Sequence, residues 1–184
     1  MSKALVYGIK KLSTTAEPVR MSDHGLAMID LVHMHTHDGN SYHVTHSATI
    51  VAASNGYIYI VTPNTDIEQH LQAQVDCSLA GTWTVYINSK INASGTALTI
   101  YNNNRRSTNV STTKIYHTPT ISTSGNVFMS VTLGSSGGSQ RLGGSSFNRN
   151  ELILQKNAKY ILRFLSAANG NAVTKNIDFY EEEE

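Results

Sequence analysis

The chain has 184 residues, enough for one domain, or one domain with an appended arm, whose core holds without disulfides or a metal. Charged residues make up only 15%, against about 25% in ordinary soluble domains, so Ser, Thr and Asn carry the polar surface, as in turn-rich β structure rather than a helical bundle. A formal net charge of +1 excludes a global field for nucleic acid, the single Cys77 excludes an intrachain disulfide framework, and no run approaches the ~20 apolar residues of a membrane helix.

The opening Met-Ser-Lys-Ala-Leu-Val-Tyr-Gly carries no apolar run of about 7–15 residues of the signal-peptide kind. With a lone cysteine, this predicts folding in a reducing cytoplasm and makes the sequons at Asn92 and Asn109 chance matches. Residues 1–40 hold most of the methionines and no sustained alternation, and they are expected to form an irregular arm or attachment segment. Within it, Ser22 to Val32 could make a turn or two of helix with Ser22 as N-cap, although Gly25 weakens that pattern. Residues 181–184, all glutamate, are expected to be a solvated acidic tail, with docking on a basic neighbour as the sharper alternative.

From about Tyr42 the dominant period becomes two. Leu71, Ala73, Val75, Cys77 and Leu79 alternate with polar residues, which predicts a strand with one buried face and Cys77 in the core. Trp83, Val85 and Ile87 form one face of the next strand, with Gly81 as the turn between them, and Val127, Met129, Val131 and Leu133 repeat the alternation. Tyr57 to Val61, Leu152 to Leu154 and Tyr160 to Leu165 are apolar on both faces, as in strands covered on both sides, and Ile177 and Phe179 close the series. Turn signals separate these runs at Ser54-Asn55-Gly56, Thr62-Pro63-Asn64, Asn102-Asn103-Asn104, Pro119 and Asn169-Gly170-Asn171, and residues 134–146 form a Gly/Ser-rich loop. The prediction is an all-β, antiparallel, jelly-roll-like β-sandwich over residues 41–180.

The sharpest chemical feature is His33-Met-His35-Thr-His37-Asp38, followed by His43 and His46. On an extended segment, His33, His35 and His37 share one face about 6.6 Å apart per step. Two neighbours could then chelate one ion, but His33 and His37, roughly 13 Å apart, could not both join. Cupin enzymes also place His-x-His on a jelly-roll strand, but their following Glu is replaced here by Gly39, Asn40 or Ser41, and the preceding glycine is absent. Hydrogen-bonded interface histidines are the simpler reading, and neither a metal nor another cofactor is expected. There is no Gly-x-Ser-x-Gly elbow, phosphate-binding loop or Cys-x-x-Cys pair, and no spacing nominates a carboxylate pair, so no catalytic residues are assigned. Arg105-Arg106 beside the asparagines reads as a hydrogen-bonded turn rather than a phosphate contact. Tyr57, Tyr59, Tyr86, Tyr101, Tyr116 and Tyr160 could stack on sugars if exposed, although strand propensity alone explains them.

Several segments together resemble small virion proteins of tailed bacteriophages. They are His37-Asp-Gly-Asn-Ser-Tyr42, Val61-Thr-Pro-Asn-Thr65, Thr82-Trp-Thr-Val-Tyr-Ile87, the run from Asn102 to Asn109, Glu151-Leu-Ile-Leu-Gln-Lys-Asn157 and Tyr160-Ile-Leu-Arg-Phe-Leu-Ser-Ala-Ala-Asn169, spanning His37 to Tyr180. The resemblance implies a non-enzymatic jelly-roll head protein that decorates or cements the capsid, made in the host bacterial cytoplasm and ending on the capsid surface. Its expected partners are the major capsid protein and itself, as a homotrimer, with no membrane and no direct nucleic-acid contact. The alternative is a receptor- or glycan-binding sandwich of the phage tail.

Overall fold

The computed structural model describes residues 31–134 and 151–183, together with the backbone pairing of Tyr7–Gly8 with Glu17–Pro18, of Met21–Ser22 with Gly25–Leu26, and of Leu142–Gly143 with a core strand. One helix, α1 (Leu31–Asp38), precedes eight principal strands. These are β1 (Ser41–Ile50), β2 (Asn55–Val61), β3 (Ile67–Cys77), β4 (Gly81–Ile87), β5 (Asn126–Leu133), β6 (Leu152–Leu154), β7 (Lys159–Ser166) and β8 (Asn171–Glu183).

The pairing is that of one long hairpin folded back on itself. β1 pairs β8, β2 pairs β7, β3 pairs β6 and β4 pairs β5, all antiparallel. Rolling the hairpin adds the ladders β8–β3 and β7–β4. One sheet then runs β1-β8-β3-β6 and the other β2-β7-β4-β5, the strand order of a jelly roll, as the turn spacing predicted. The two inner faces supply the core. Leu71, Ala73, Val75 and Cys77 from β3 meet Trp83 and Val85 from β4 and Leu162 and Phe164 from β7, with Tyr42 stacked on Phe179 at 5.3 Å between ring centroids. Burial pushes the Cys77 thiol up, which leaves it a small apolar side chain rather than a nucleophile.

The 88–125 insertion between β4 and β5 wraps one side of the sandwich. Tyr101–Asn102 extends the first sheet at β1, while Lys114–His117 extends the second at β2. A ribbon of Lys90–Ala93 and Thr120–Thr123 lies over the outer face of the second sheet, where Ile91 and Ile121 pack on Tyr59, Tyr86 and Ile161. This cover explains why β2 and β7 are apolar on both faces.

Four expectations change. Ser22 lies in a two-residue strand paired with Gly25–Leu26, and the helix forms later, at Leu31–Asp38, packed against β1 and β8. Gly81 is not a turn residue but the buried start of β4, where a Cβ would meet the Phe164 ring at 2.2 Å. Leu152–Leu154 is not a covered central strand: it is a short edge strand with Ile153 60% exposed. Residues 181–183 are not a free acidic tail, because they continue β8 along β3. Glu181 points inward and is only 7% exposed; its carboxylate accepts hydrogen bonds from the backbone N–H of Thr112 and Thr113 and from the hydroxyls of Ser111, Thr112 and Thr113. A buried charge is stable only when its lone pairs are satisfied in this way.

Replacing Glu181 by alanine removes the acceptor that gathers Ser111, Thr112 and Thr113, leaving the buried Thr113 N–H only the Ser111 hydroxyl at 3.1 Å, and is expected to cost about 1–2 kcal/mol. Urea unfolding of Glu181→Ala measures this, and an unchanged midpoint would show that the clamp adds nothing.

Candidate functional site

Helix α1 lies on the outer face of the first sheet, and its end is built with care. Gly39 adopts φ +77°, its N–H donates to the Thr36 carbonyl at 3.2 Å, and the Asn40 N–H reaches back to the His35 carbonyl at 2.8 Å. This is a Schellman termination, which needs a residue without a Cβ at the left-handed position. The last carbonyls are then capped from the side by the asparagine-rich turn. Asn104 Nδ2 donates to the His37 carbonyl at 2.9 Å, Asn102 Nδ2 to the Gly39 carbonyl at 2.7 Å, and the longer Asn109 contact reaches the Asp38 carbonyl at 3.4 Å. Helix ends leave such carbonyls without intrahelical partners, and here side chains from the insertion supply them. The Asn102–Asn109 turn is thus a bracket for α1, with Arg105 and Arg106 on its exposed side and Arg105 lying 5.5 Å from the centroid of Tyr101.

The helix separates the three candidate histidines. His33 and His37 fall one turn apart on the exposed face, with their Nε2 atoms 3.0 Å apart. The extended-chain argument that kept these two from one ion is therefore reversed, since a helix brings i and i+4 together. His35 turns the other way and is buried, with its ring stacked on Tyr180 at 4.4 Å and 12°. His70 also stacks on the Tyr180 ring, at 4.4 Å and nearly parallel.

This layered His35–Tyr180–His70 stack is ringed by carboxylates. His70 Nδ1 is 2.7 Å from Glu151 Oε1, its Nε2 is 3.4 Å from Glu68, and Glu182 lies 3.7 Å from His35 and 4.0 Å from His70. Burial, followed by the hydrogen bond and charge of Glu151 and the charges of Glu182 and Glu68, holds the Tyr180 hydroxyl well above the usual phenol range. Glu68, His70, Tyr180 and Glu182 all lie on the outward set of the β3 and β8 alternation, which is why the ladder gathers them. The His70–Glu151 pair has the form of an oriented base. However, His70 Nε2 is buried without a hydrogen-bond partner, and no hydroxyl or thiol meets it among the described residues. The arrangement clasps the helix to the sheet. Clefts of about 280 and 260 Å³ flank it, the first by Met34, Asp38 and Ile67, the second by Thr36, Gln72 and Asn103.

A second polar group lies between the sheets. Lys175, on the inward face of β8 with Val173 and Ile177, is 1% exposed, and its Nζ has no hydrogen-bond partner. It reaches toward Gly56, where a Cβ would sit 2.9 Å from Nζ. Its cross-strand neighbour His46 stacks on His117 of the second sheet at 4.5 Å. Burial pushes Lys175 down to about 8, and burial, then Lys175 and His117, push His46 down to about 4. Sequence reading missed this cluster because the only signal was a lysine on the apolar phase of an alternating strand.

The tyrosines do not form an open sugar platform. Tyr59, Tyr86 and Tyr160 are buried, Tyr57 and Tyr116 are half-covered, and Tyr101 alone of the six is exposed, at 52%. Among the described residues, no group of three or more His, Cys, Asp or Glu is placed to hold a metal ion, and no helix is long and apolar enough to cross a membrane. No family model, curated protein or solved structure matches the chain.

The internal bases set the pH response. Between about 8 and 10.5 the unfolded chain keeps the Lys175 proton that the folded chain has released, so stability rises with pH through that window. Between about 6.5 and 4 the unfolded chain binds a proton at His46 that the folded chain refuses, so stability falls as pH drops there. Lys175→Met is expected to stabilise the protein at pH 7 by about 2–3 kcal/mol and to flatten the slope from pH 8 to 10. Thermal or urea unfolding across pH checks both; an unchanged slope would mean the ammonium is solvated.

Proposed function

We propose that this chain is a structural, non-enzymatic protein of a bacteriophage particle, one that decorates or cements the capsid by bridging major capsid subunits and that stands as a homotrimer. The resemblance of its segments to small phage virion proteins motivates the reading, and the jelly roll is compatible with it. The observation that carries it is the apolar seam between the free edges of the two sheets.

β5 closes one sheet and β6 the other, and the seam between them exposes Val127, Phe128 at 53% and Ile153 at 60%. A groove of about 140 Å³ runs there between Phe128, Ile153, Val85 and Tyr160. Large apolar side chains left together beside strand edges favour association over solvation. Leu152–Leu154 is apolar on both faces although only one face meets its own core, as suits a strand whose second face meets a sister subunit. Residues 1–30 would then serve as the arm that reaches the shell. Several weak contacts of one rigid body gain from the high effective concentration that linkage provides.

A tail receptor- or glycan-binding role has less support, because it needs a face of open aromatic rings and most of the tyrosines are covered.

Two measurements test the reading. A chain lacking residues 1–30, which keeps α1 and its bracket, should retain its β circular dichroism and Tm yet lose attachment to expanded shells at least tenfold; normal binding would remove the arm from the proposal. Phe128→Asp with Ile153→Asp, both at exposed positions, should convert a trimer to a monomer in sedimentation velocity without loss of fold. A wild-type chain that sediments as a monomer at every concentration would overturn the trimer.

A further inference from the structure

The exposed face of α1 carries a pair of imidazoles that already converge. His33 and His37 Nε2 atoms are 3.0 Å apart, closer than the 4.5 Å between their ring centroids, so the nitrogen-bearing corners of the two rings point at each other. In the free protein one Nε2–H donates to the other, bare Nε2; moving that proton to Nδ1 frees the second lone pair without changing the charge of either ring. With metal–nitrogen bonds of about 2.05 Å, tetrahedral coordination would hold two nitrogens about 3.3 Å apart and a right-angled pair about 2.9 Å apart. The observed 3.0 Å therefore suits adjacent positions of a tetragonal or octahedral ion better than a tetrahedral one.

We propose that His33 and His37 form a two-nitrogen site for a divalent transition-metal ion, Cu²⁺ foremost and Ni²⁺ next, on the outer face of α1. His35 takes no part, because its ring is held against Tyr180 on the other side of the helix. No third His, Cys, Asp or Glu is in place among the described residues, so water completes the coordination and binding is weaker than at a closed structural centre. The scaffold is fixed in advance. The helix end is pinned by the Gly39 termination and by Asn104 on the His37 carbonyl, so little ordering remains when the ion arrives. An ion that bridges successive turns of α1 would also make the base of the N-terminal segment harder to unwind. The site stands independently of any role in a virus particle.

Isothermal titration of the full chain with CuCl₂ or NiCl₂ is expected to give one site per chain that His33→Ala and His37→Ala each weaken at least tenfold. His43→Gln, which leaves the pair untouched, should bind like the wild type. Both alanine variants change exposed positions and should keep the wild-type Tm without metal. In NMR spectra, substoichiometric Cu²⁺ should broaden the His33 and His37 ring resonances before those of His43, His70 or His117. Unchanged isotherms in the two alanine variants, or first broadening at another histidine, would overturn the assignment.

Discussion

The arrangement around the helix depends on strand β8 being hydrogen-bonded along both edges. It lies between β1 and β3, and its ladder with β3 continues to the end of the described chain. A strand held on both sides cannot slip by one residue without turning every side chain to the wrong face. That constraint sends Val173, Lys175, Ile177, Phe179 and Glu181 inward, and it sends Asp178, Tyr180 and Glu182 outward. Consecutive residues near its end therefore do opposite work. Tyr180 receives the helix on the outside, while Glu181, one position on, locks the turn at Ser111–Thr113 from within.

Charge is divided between the two faces of this same sheet. Outside, Glu68, Glu151 and Glu182 surround His35 and His70. Inside, Lys175 and the His46–His117 pair face each other, and among the described residues no carboxylate forms an ion pair with them. Desolvation acts on Lys175 and His46 without an opposing charge, which is why their pKa values move down. A buried base of this kind is weak evidence for stability, and β8 tolerates it because two full ladders surround it.

The insertion joins the parts of the molecule on which the functional reading rests. Its ribbon covers the tyrosines of the second sheet, its short strands close the β1 and β2 edges, and its asparagines bracket α1. Among the described residues the opposite side receives no such cover, and there Phe128 and Ile153 are exposed. A sandwich sealed along one side and apolar along the other is suited to packing against copies or neighbours in a fixed orientation, and this asymmetry underlies the proposed role in an assembly.

By itself the sequence determined whatever depends on a period of two within one strand. That covers the alternation of β3, the burial of Cys77 and the double-faced strands β2 and β7, all properties of neighbours a few residues apart. The candidate site was only partly legible. Histidines at 33, 35 and 37 satisfy a strand period, yet positions 33 and 37 are equally one helical turn apart, and in this short polar stretch the pattern could not choose between them. The decisive local signal was Asp38-Gly39, a helix stop whose asparagine partners lie more than sixty residues away in the chain. The same distance in sequence hid the acidic end of β8, because four glutamates read as solvated until Thr112 and Thr113 are brought against Glu181. Only the tertiary structure decided these points, since each rests on a partner that local periodicity does not encode.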